Sequence, residues 1–126
     1  MKVILVGVGN LGSALVSYGG FQRQGFKIMR AFDADRRKVG SSRGSLEVHH
    51  IDELEERLKE TPADIAVLAV PGDACQAVAD RLVSAGIRGI LNFVPRRLTL
   101  PEHVKVHYVD LSIEMETLSY YLRSQE

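Results

Sequence analysis

The sequence is poor in residues that mark several classes of protein: it has one cysteine, no tryptophan and four prolines among 126 residues. The single thiol, Cys75, excludes an internal disulfide and fits a reducing cytoplasm. Net charge is absent too, because sixteen basic residues balance sixteen acidic ones, so no bulk positive field attracts a nucleic-acid backbone. The composition therefore predicts a cytoplasmic globular protein that is by itself a poor nucleic-acid binder.

Long hydrophobic runs are also missing. The first apolar stretch, residues 3–8, is much shorter than the ~18 residues that a membrane span needs. It leads into glycines instead of the small-residue cleavage site of a signal peptide. The four histidines show no metal-ligand spacing with a carboxylate or thiol. We expect neither membrane association nor a metal site.

What the chain does contain is an alternation of short apolar runs and helical patterns. Strands are predicted at 2–6, 26–32, 47–49, 64–70, 89–93 and 105–110, and helices at 10–17, 51–60, 73–85 and 111–123. Parallel strands need a crossover, and helical crossovers are almost always right-handed. The order therefore predicts an α/β protein, a Rossmann-type doubly wound parallel sheet, with residues 1–126 forming a single domain.

Three glycines follow the first strand in the pattern G-x-G-x-x-G and open the first helix. Gly7 allows a tight turn, Gly9 lets a pyrophosphate approach the backbone, and Gly12 lets the helix pack closely on the sheet. The backbone amides of Asn10 and Leu11 lie at the positive end of this helix, where phosphates bind. The pattern predicts a dinucleotide-binding turn.

An acidic residue ends the second strand: Asp33 lies 21 positions after Gly12. A carboxylate there can accept both ribose hydroxyls of an adenosine and repels a 2′-phosphate, which favours NAD(H) over NADP(H). Three cations follow closely, Arg36, Arg37 and Lys38, and such residues can also hold a 2′-phosphate. The exclusion of NADP(H) stays open at this point.

Beyond these patterns, the whole chain resembles the NAD(H)-binding domain of the Rex family of redox-sensing bacterial transcriptional repressors. The resemblance rests on VGVGNLGSAL, on the segment YGGF, on AFDAD with the following KVG, on AVLAVPGDACQAVADRLVSAGIRGILNFVP and on VDLSIEMETLSYYL, in that order. Where the family often has Asn-Phe-Ala-Pro, this chain has Asn-Phe-Val-Pro, and Val94 could crowd the nicotinamide side of the site.

The resemblance implies further residues of the cofactor site. They follow the later strands of the sheet or the first helix: Val70, Pro71, Asn92, Phe93, Pro95 and Tyr18.

The resemblance also implies a homodimer in which a C-terminal helix, residues 110–126, swaps across to the partner. Tyr18 would lie near the nicotinamide and bond to Asp110 of the partner subunit, while Leu111 would reach toward the partner's cofactor. Binding of NADH would close the dimer and release operator DNA. Family members carry a winged-helix DNA-binding domain before this one; since Met1 comes immediately before the first strand, we expect no DNA binding from this chain alone.

The residues themselves leave the role of the last helix open. Leu111, Met115, Leu118 and Leu122 form an apolar stripe, which shows that a face must be buried but not against which surface. The helix could equally fold back on its own domain, and Asp110 could simply be its N-cap.

No catalytic acid and base are evident, so we expect a binding module and not an enzyme. Two alternatives remain: a nucleotide-binding subunit of an NAD-dependent oxidoreductase, and a coenzyme A-binding Rossmann domain. Asp33 argues mildly against the second, because it is suited to a ribose with free hydroxyls.

Overall fold

The computed structural model describes residues 1–17, 20–43 and 46–123. Within these ranges seven strands are formed: β1 (Lys2–Val6), β2 (Lys27–Asp33), β3 (Ser42–Arg43), β4 (Leu46–His50), β5 (Ile65–Leu68), β6 (Gly89–Asn92) and β7 (Lys105–Tyr108). The same ranges contain five α-helices: α1 (Asn10–Ser17), α2 (Gly20–Arg23), α3 (Leu54–Glu60), α4 (Cys75–Ser84) and α5 (Leu111–Arg123). A single 3₁₀ turn precedes α3 at Ile51–Glu53 and another precedes α4 at Gly72–Ala74.

The strands form one sheet in the order β3-β4-β2-β1-β5-β6-β7. All neighbouring strands pair in parallel except β3, which forms an antiparallel hairpin with β4. The chain runs outward from β1 in one direction through β2 and β4, then returns to continue from β5 on the other side. The predicted doubly wound fold is confirmed, and its topological switch point lies between β1 and β5, where ligands of such folds bind.

One face of the sheet is covered by α3 and α4. Alternate residues of β1 point into this layer, Ile4 and Val6, and they pack with Leu54 of α3 and Leu82 of α4, all fully buried. Helix α4 ends in a Schellman arrangement: Gly86 has a φ of +98°, and the amide of Ile87 donates to the carbonyl of Leu82 at 3.0 Å. This layer is the main hydrophobic core.

The opposite face is covered less completely. Leu5, Val8, Ala31 and Val48 pack there with Val16 of α1. Beyond them lies a groove of about 680 Å³. Its lining is largely apolar and includes Leu5, Leu15, Phe21, Ile28, Val67 and Leu91. We call this the apolar groove.

The last helix, α5, also carries apolar side chains that are exposed. Ile113, Met115, Leu118, Tyr121 and Leu122 are each more than half exposed. Among the described residues, no helix combines the length and the apolar character needed to cross a bilayer.

Two elements were not predicted from the sequence. One is the short helix α2, which begins at Gly20, a residue type that usually ends helices; Gly19 lies outside the described residues. The hairpin strand β3 falls in a segment rich in glycine and serine, whose composition gives no strand signal. This two-residue strand is defined by its backbone pairing with β4, which the composition of the segment does not report.

Candidate functional site

The glycine turn after β1 is tightly packed at two of its three glycines. Gly7 has a φ of +101°, and a Cβ there would overlap the carbonyl of Ala69 after β5. A Cβ on Gly12 would overlap the carbonyl of Gly7. The protein's own packing therefore requires both residues, as their predicted roles in the turn and in helix packing imply.

Gly9 is different. A Cβ built on this residue would meet no atom within 4 Å, and the residue is exposed. It precedes α1, whose first amides have no partner inside the helix and carry the positive end of the helix dipole. Nothing in the described protein requires a glycine at this position. An incoming group that needs close access to the backbone does require one.

Asp33 ends β2 beside this turn and is built into it. Its Oδ2 accepts a hydrogen bond from the amide of Val8 at 2.7 Å, and its Oδ1 accepts from the amide of Asp35 at 2.8 Å. The side chain is only 14% exposed. Each carboxylate oxygen has a second lone pair, so the group can still accept from a ligand.

The three cations after β2 all have acidic neighbours. Arg37 makes two bonds to the carboxylate of Asp35, each 3.1 Å long. Lys38 donates to the carbonyl of Val8 at 3.1 Å, with its Nζ 3.9 Å from Asp33. Arg36 has a looser and more exposed partner, Asp52, at 3.8 Å.

A crevice of about 340 Å³ opens at the switch point, between the glycine turn and the ends of β5 and β6. Seven residues predicted for the site line it: Gly9, Asn10, Leu11, Gly12, Val70, Phe93 and Pro95. The lining also includes Gly72 and Arg96, which were not among the predicted site residues, and Val94, which was expected only to crowd the nicotinamide side. We call this the central crevice.

A second cavity of about 530 Å³ continues from the central crevice toward α5. Five lining residues are shared by the two spaces: Leu11, Phe93, Val94, Pro95 and Arg96. Asp110 lines the far end, and its Oδ1 accepts from the amides of Ser112 and Ile113 at 2.9 and 3.3 Å. Asp110 is thus the N-cap of α5, one of the roles that the sequence left open.

Asn92 lies below the crevice and is fully buried. Its Oδ1 accepts from the amide of Val94 at 2.8 Å, and its Nδ2 donates to the carbonyl of Arg96 at 3.1 Å. The thiol of Cys75 lies 3.8 Å from the same Oδ1. Burial raises the pKa of this thiol. Asn92 fixes the loop that lines the crevice, and we see it as a support for the site.

The remaining predicted residues are placed as follows. Gly7 begins the glycine turn but does not line the central crevice. Pro71 is exposed and lies just before the 3₁₀ turn that leads into α4. Tyr18 lies outside the described residues. Leu111 is the first residue of α5, but its side chain is not described. No cluster of potential metal ligands occurs in the part of the chain that the structure describes.

A glycine turn at the switch point of a doubly wound sheet defines a Rossmann-type nucleotide-binding domain. The chain belongs to the family of CoA-binding domains, whose model matches residues 1–96. Within this class, the curated proteins it resembles are redox-sensing transcriptional repressors of the Rex family, so the resemblance is confirmed. It is 51% identical over 123 residues to Rex from Geobacillus kaustophilus and 48% identical over 122 residues to Rex from an Exiguobacterium species. These alignments cover 98% and 97% of this chain but 57% and 56% of the relatives, so the chain spans little more than half of their length.

Solved structures agree with this assignment. The fold superimposes on RSP, a Rex-family repressor, in complex with β-NADH, with a TM-score of 0.94 and 37% identity. That match covers 98% of this chain and 60% of the other. A second RSP structure, with β-NAD⁺ and operator DNA, gives a TM-score of 0.91 at the same identity and covers 98% of this chain and 57% of the other.

Proposed function

We propose that this chain is the NAD(H)-binding, redox-sensing module of a Rex-type transcriptional repressor. The observation that carries the proposal is Gly9, where a Cβ would meet no atom of the described protein within 4 Å. A bare backbone at the head of α1 is what a diphosphate needs in order to reach the amides. The similarity to RSP, which has been solved with NADH and with NAD⁺, supports the same ligand.

The arrangement of the site supports one direction for the bound dinucleotide. Asp33 lies on the β2 side of the glycine turn, so the adenosine ribose belongs there. The central crevice lies on the β5 and β6 side, past Val70 and Phe93. The nicotinamide half therefore extends through that crevice toward the second cavity and Asp110.

The same arrangement favours NAD(H) over NADP(H). The carboxylate of Asp33 repels a phosphate on the ribose 2′-oxygen, and Arg37 and Lys38 are committed to Asp35 and to the glycine turn. Coenzyme A also carries a ribose phosphate, at the 3′-oxygen, which Asp33 opposes in the same way.

We assign no enzymatic reaction to this chain. Of the described residues lining the central crevice, none carries a carboxylate, imidazole, thiol or hydroxyl group that could act as a general acid or base; such groups line only the second cavity, at Tyr108, Asp110 and Ser112. The curated Rex relatives are named as transcriptional repressors. Binding of operator DNA is assigned to the part of those proteins that this chain does not span, and a cytoplasmic location follows from the proposed role.

We also propose that the module forms a dimer through its exposed apolar surfaces. One chain exposes both an apolar groove and an apolar helix, α5. Exposed apolar patches of this kind mark interaction sites. A two-fold dimer in which residues 110–126 cross to the partner would bury apolar surface of both subunits. In such a dimer Asp110 of one subunit could meet Tyr18 of the other near the nicotinamide, with Leu111 close by, as the family resemblance implies.

Sensing then requires no chemistry on the cofactor. A ligand shifts a two-state dimer only by the difference between its affinities for the two states. The module must therefore bind reduced and oxidised nicotinamide with different affinity.

Calorimetric titration of the purified protein with NADH, NAD⁺, NADPH and coenzyme A tests the proposal. We expect NADH to bind most tightly and NAD⁺ clearly more weakly. Equal affinity for the two redox forms would contradict the sensor, and preferential binding of coenzyme A would favour the function after which the matched family is named. Loss of NADH absorbance with added carbonyl substrates would instead support an oxidoreductase subunit.

A further inference from the structure

One wall of the central crevice carries a cation, Arg96, that forms no ion pair with a described carboxylate. Arg96 lines both the crevice and the second cavity. Its guanidinium lies against Gly72: a Cβ on that glycine would stand 3.0 Å from the Cζ of the arginine. The absence of a side chain at Gly72 is thus what makes room for the cation at the crevice wall.

The backbone of Arg96 is held by a hydrogen bond from a buried side chain. The fully buried Asn92 donates to the carbonyl of Arg96, so movement of the loop would break this partly buried hydrogen bond. The guanidinium itself makes one long bond, 3.3 Å, to the carbonyl of Pro95. It is exposed and retains donors for other partners.

No carboxylate lies within ion-pair distance of Arg96 among the described residues. The described lining of the central crevice carries no acid. The second cavity holds one carboxylate, Asp110 at its far end, against two cations, Arg96 and Arg97. Positive side chains therefore outnumber negative ones around the nicotinamide half of the proposed site, and Arg96 is the cation shared by both spaces.

NADH and NAD⁺ differ in one respect that such a wall can detect. The oxidised nicotinamide ring carries a positive charge and the reduced ring is neutral, whereas the diphosphate and both riboses are the same. We propose that Arg96 is a selectivity residue that favours the reduced cofactor by repelling the oxidised ring. This inference rests on the proposed NAD(H) function and names the group that supplies its redox preference.

The size of the effect follows from Coulomb's law. In a crevice open to solvent, with an effective dielectric constant of about 40–80, two like charges about 6–8 Å apart change a binding ratio by about three- to tenfold. Salt should reduce the effect, since the crevice is open to solvent.

The test is the ratio of the dissociation constants for NAD⁺ and NADH, measured by calorimetry at low and high salt. The ratio cancels any attraction between Arg96 and the diphosphate, because that group is common to both ligands. In Arg96→Gln the ratio should fall by about three- to tenfold at low salt and by less at high salt. Arg96→Lys keeps the charge and should keep most of the ratio.

Arg88→Gln is the matched control, because Arg88 precedes the same strand, β6, at the opposite edge of the sheet and pairs with Asp64. It makes the same change in net charge and should leave the ratio unchanged. An unaltered ratio in Arg96→Gln, or an equal change in Arg88→Gln, would overturn the assignment to Arg96 while NADH binding still stood. Failure of the unaltered protein to bind either nucleotide would overturn the proposed function itself.

Discussion

Gly9 and Gly12 lie in the same turn, yet a methyl group has different consequences at the two positions. Gly9→Ala should leave the melting temperature nearly unchanged, since the new Cβ meets nothing within 4 Å. It should weaken NADH by at least about tenfold, because the methyl group enters the space needed by the diphosphate. Thermal unfolding together with calorimetric titration measures both effects.

Gly12→Ala provides the opposite case. Its Cβ would overlap the carbonyl of Gly7, so helix α1 must move away from the turn. Overpacking of this kind costs about 1–3 kcal/mol in the free energy of unfolding. If Gly9→Ala destabilised the protein as much as Gly12→Ala, the space beside Gly9 would belong to the protein and not to a ligand.

Asp33 should control selectivity between the two kinds of adenosine ribose. Replacing it by asparagine removes the charge that opposes a 2′-phosphate and weakens the acceptor for the hydroxyls. We expect Asp33→Asn to lose about 1–3 kcal/mol of NADH binding, as for hydrogen bonds to charged groups, and to bind NADPH relatively better. Stability should also fall, since the carboxylate accepts from two backbone amides.

The control for this variant is Asp80→Asn, on the exposed side of α4 and bonded to Gln76. The readout is the ratio of NADH to NADPH affinity, which a general loss of stability does not change. A ratio that stayed constant in Asp33→Asn would place the ribose elsewhere.

Single residues also show which parts of the site a sequence pattern can predict. The roles of Gly7 and Gly12 follow from local geometry, namely a strand, a turn and a helix start, so the pattern identified them. That Asn92 binds the cofactor stays a prediction, and its contacts within the protein come from two residues of the loop, Val94 and Arg96, and from Cys75 of α4. Such a buried network depends on tertiary packing, which spacing along the chain does not report.

At the scale of elements, an ion pair ties the two helices of the main core layer together. Arg81 of α4 donates from Nε and Nη2 to the two oxygens of Glu55 on α3, at 2.5 and 2.7 Å. Nη2 also donates to the carbonyl of Ile51, at 2.8 Å. The Arg81 hydrogen bonds lower the pKa of Glu55 below its usual range.

This lowered pKa has a definite consequence for stability against pH. A carboxylate with a depressed pKa in the folded state stabilises the protein above its unfolded pKa and loses that contribution as the pH falls. We expect Arg81→Met to cost about 1 kcal/mol at neutral pH, since both side chains are partly exposed. The difference from the unaltered protein should shrink as the pH falls through the range in which Glu55 becomes protonated.

Urea unfolding across that pH range measures the effect, and Glu55→Gln completes a double-mutant cycle. A difference that stayed constant as Glu55 was protonated would attribute the loss to the contact with Ile51 and not to the ion pair.

The elements differ in how well the sequence predicted them. The first and last helices have the predicted bounds, Asn10–Ser17 and Leu111–Arg123, because their apolar spacing is regular. The predicted helices at 51–60 and 73–85 each begin with a 3₁₀ turn instead. Strand β5 is shorter than predicted, Ile65–Leu68, because the chain turns away at the crevice, where Val70 lines the site. Apolar patterns continue through such a turn and so do not mark its position.

At the scale of the whole molecule, the exposed apolar surfaces, the apolar groove and α5, bear on how stability depends on protein concentration. If α5 packs on a second subunit, folding and association are linked, and apparent stability depends on protein concentration. The interface would resemble a hydrophobic core divided between two chains, as in obligate dimers. A helix folded back on its own domain would show no such dependence.

Leu118→Glu tests the dimer, because Leu118 lies in the apolar stripe of α5 and is 54% exposed in a single chain. For the unaltered protein we expect a dimer in sedimentation equilibrium and a melting temperature that rises with protein concentration. The glutamate must be desolvated at an apolar interface, so the variant should shift to monomer and lose the concentration dependence. Glu116→Gln, an exposed charge change two residues away, should keep both properties. If the unaltered protein were monomeric, with a melting temperature independent of concentration, the crossed helix would be ruled out. If Leu118→Glu remained a dimer, the interface would have to lie on another surface.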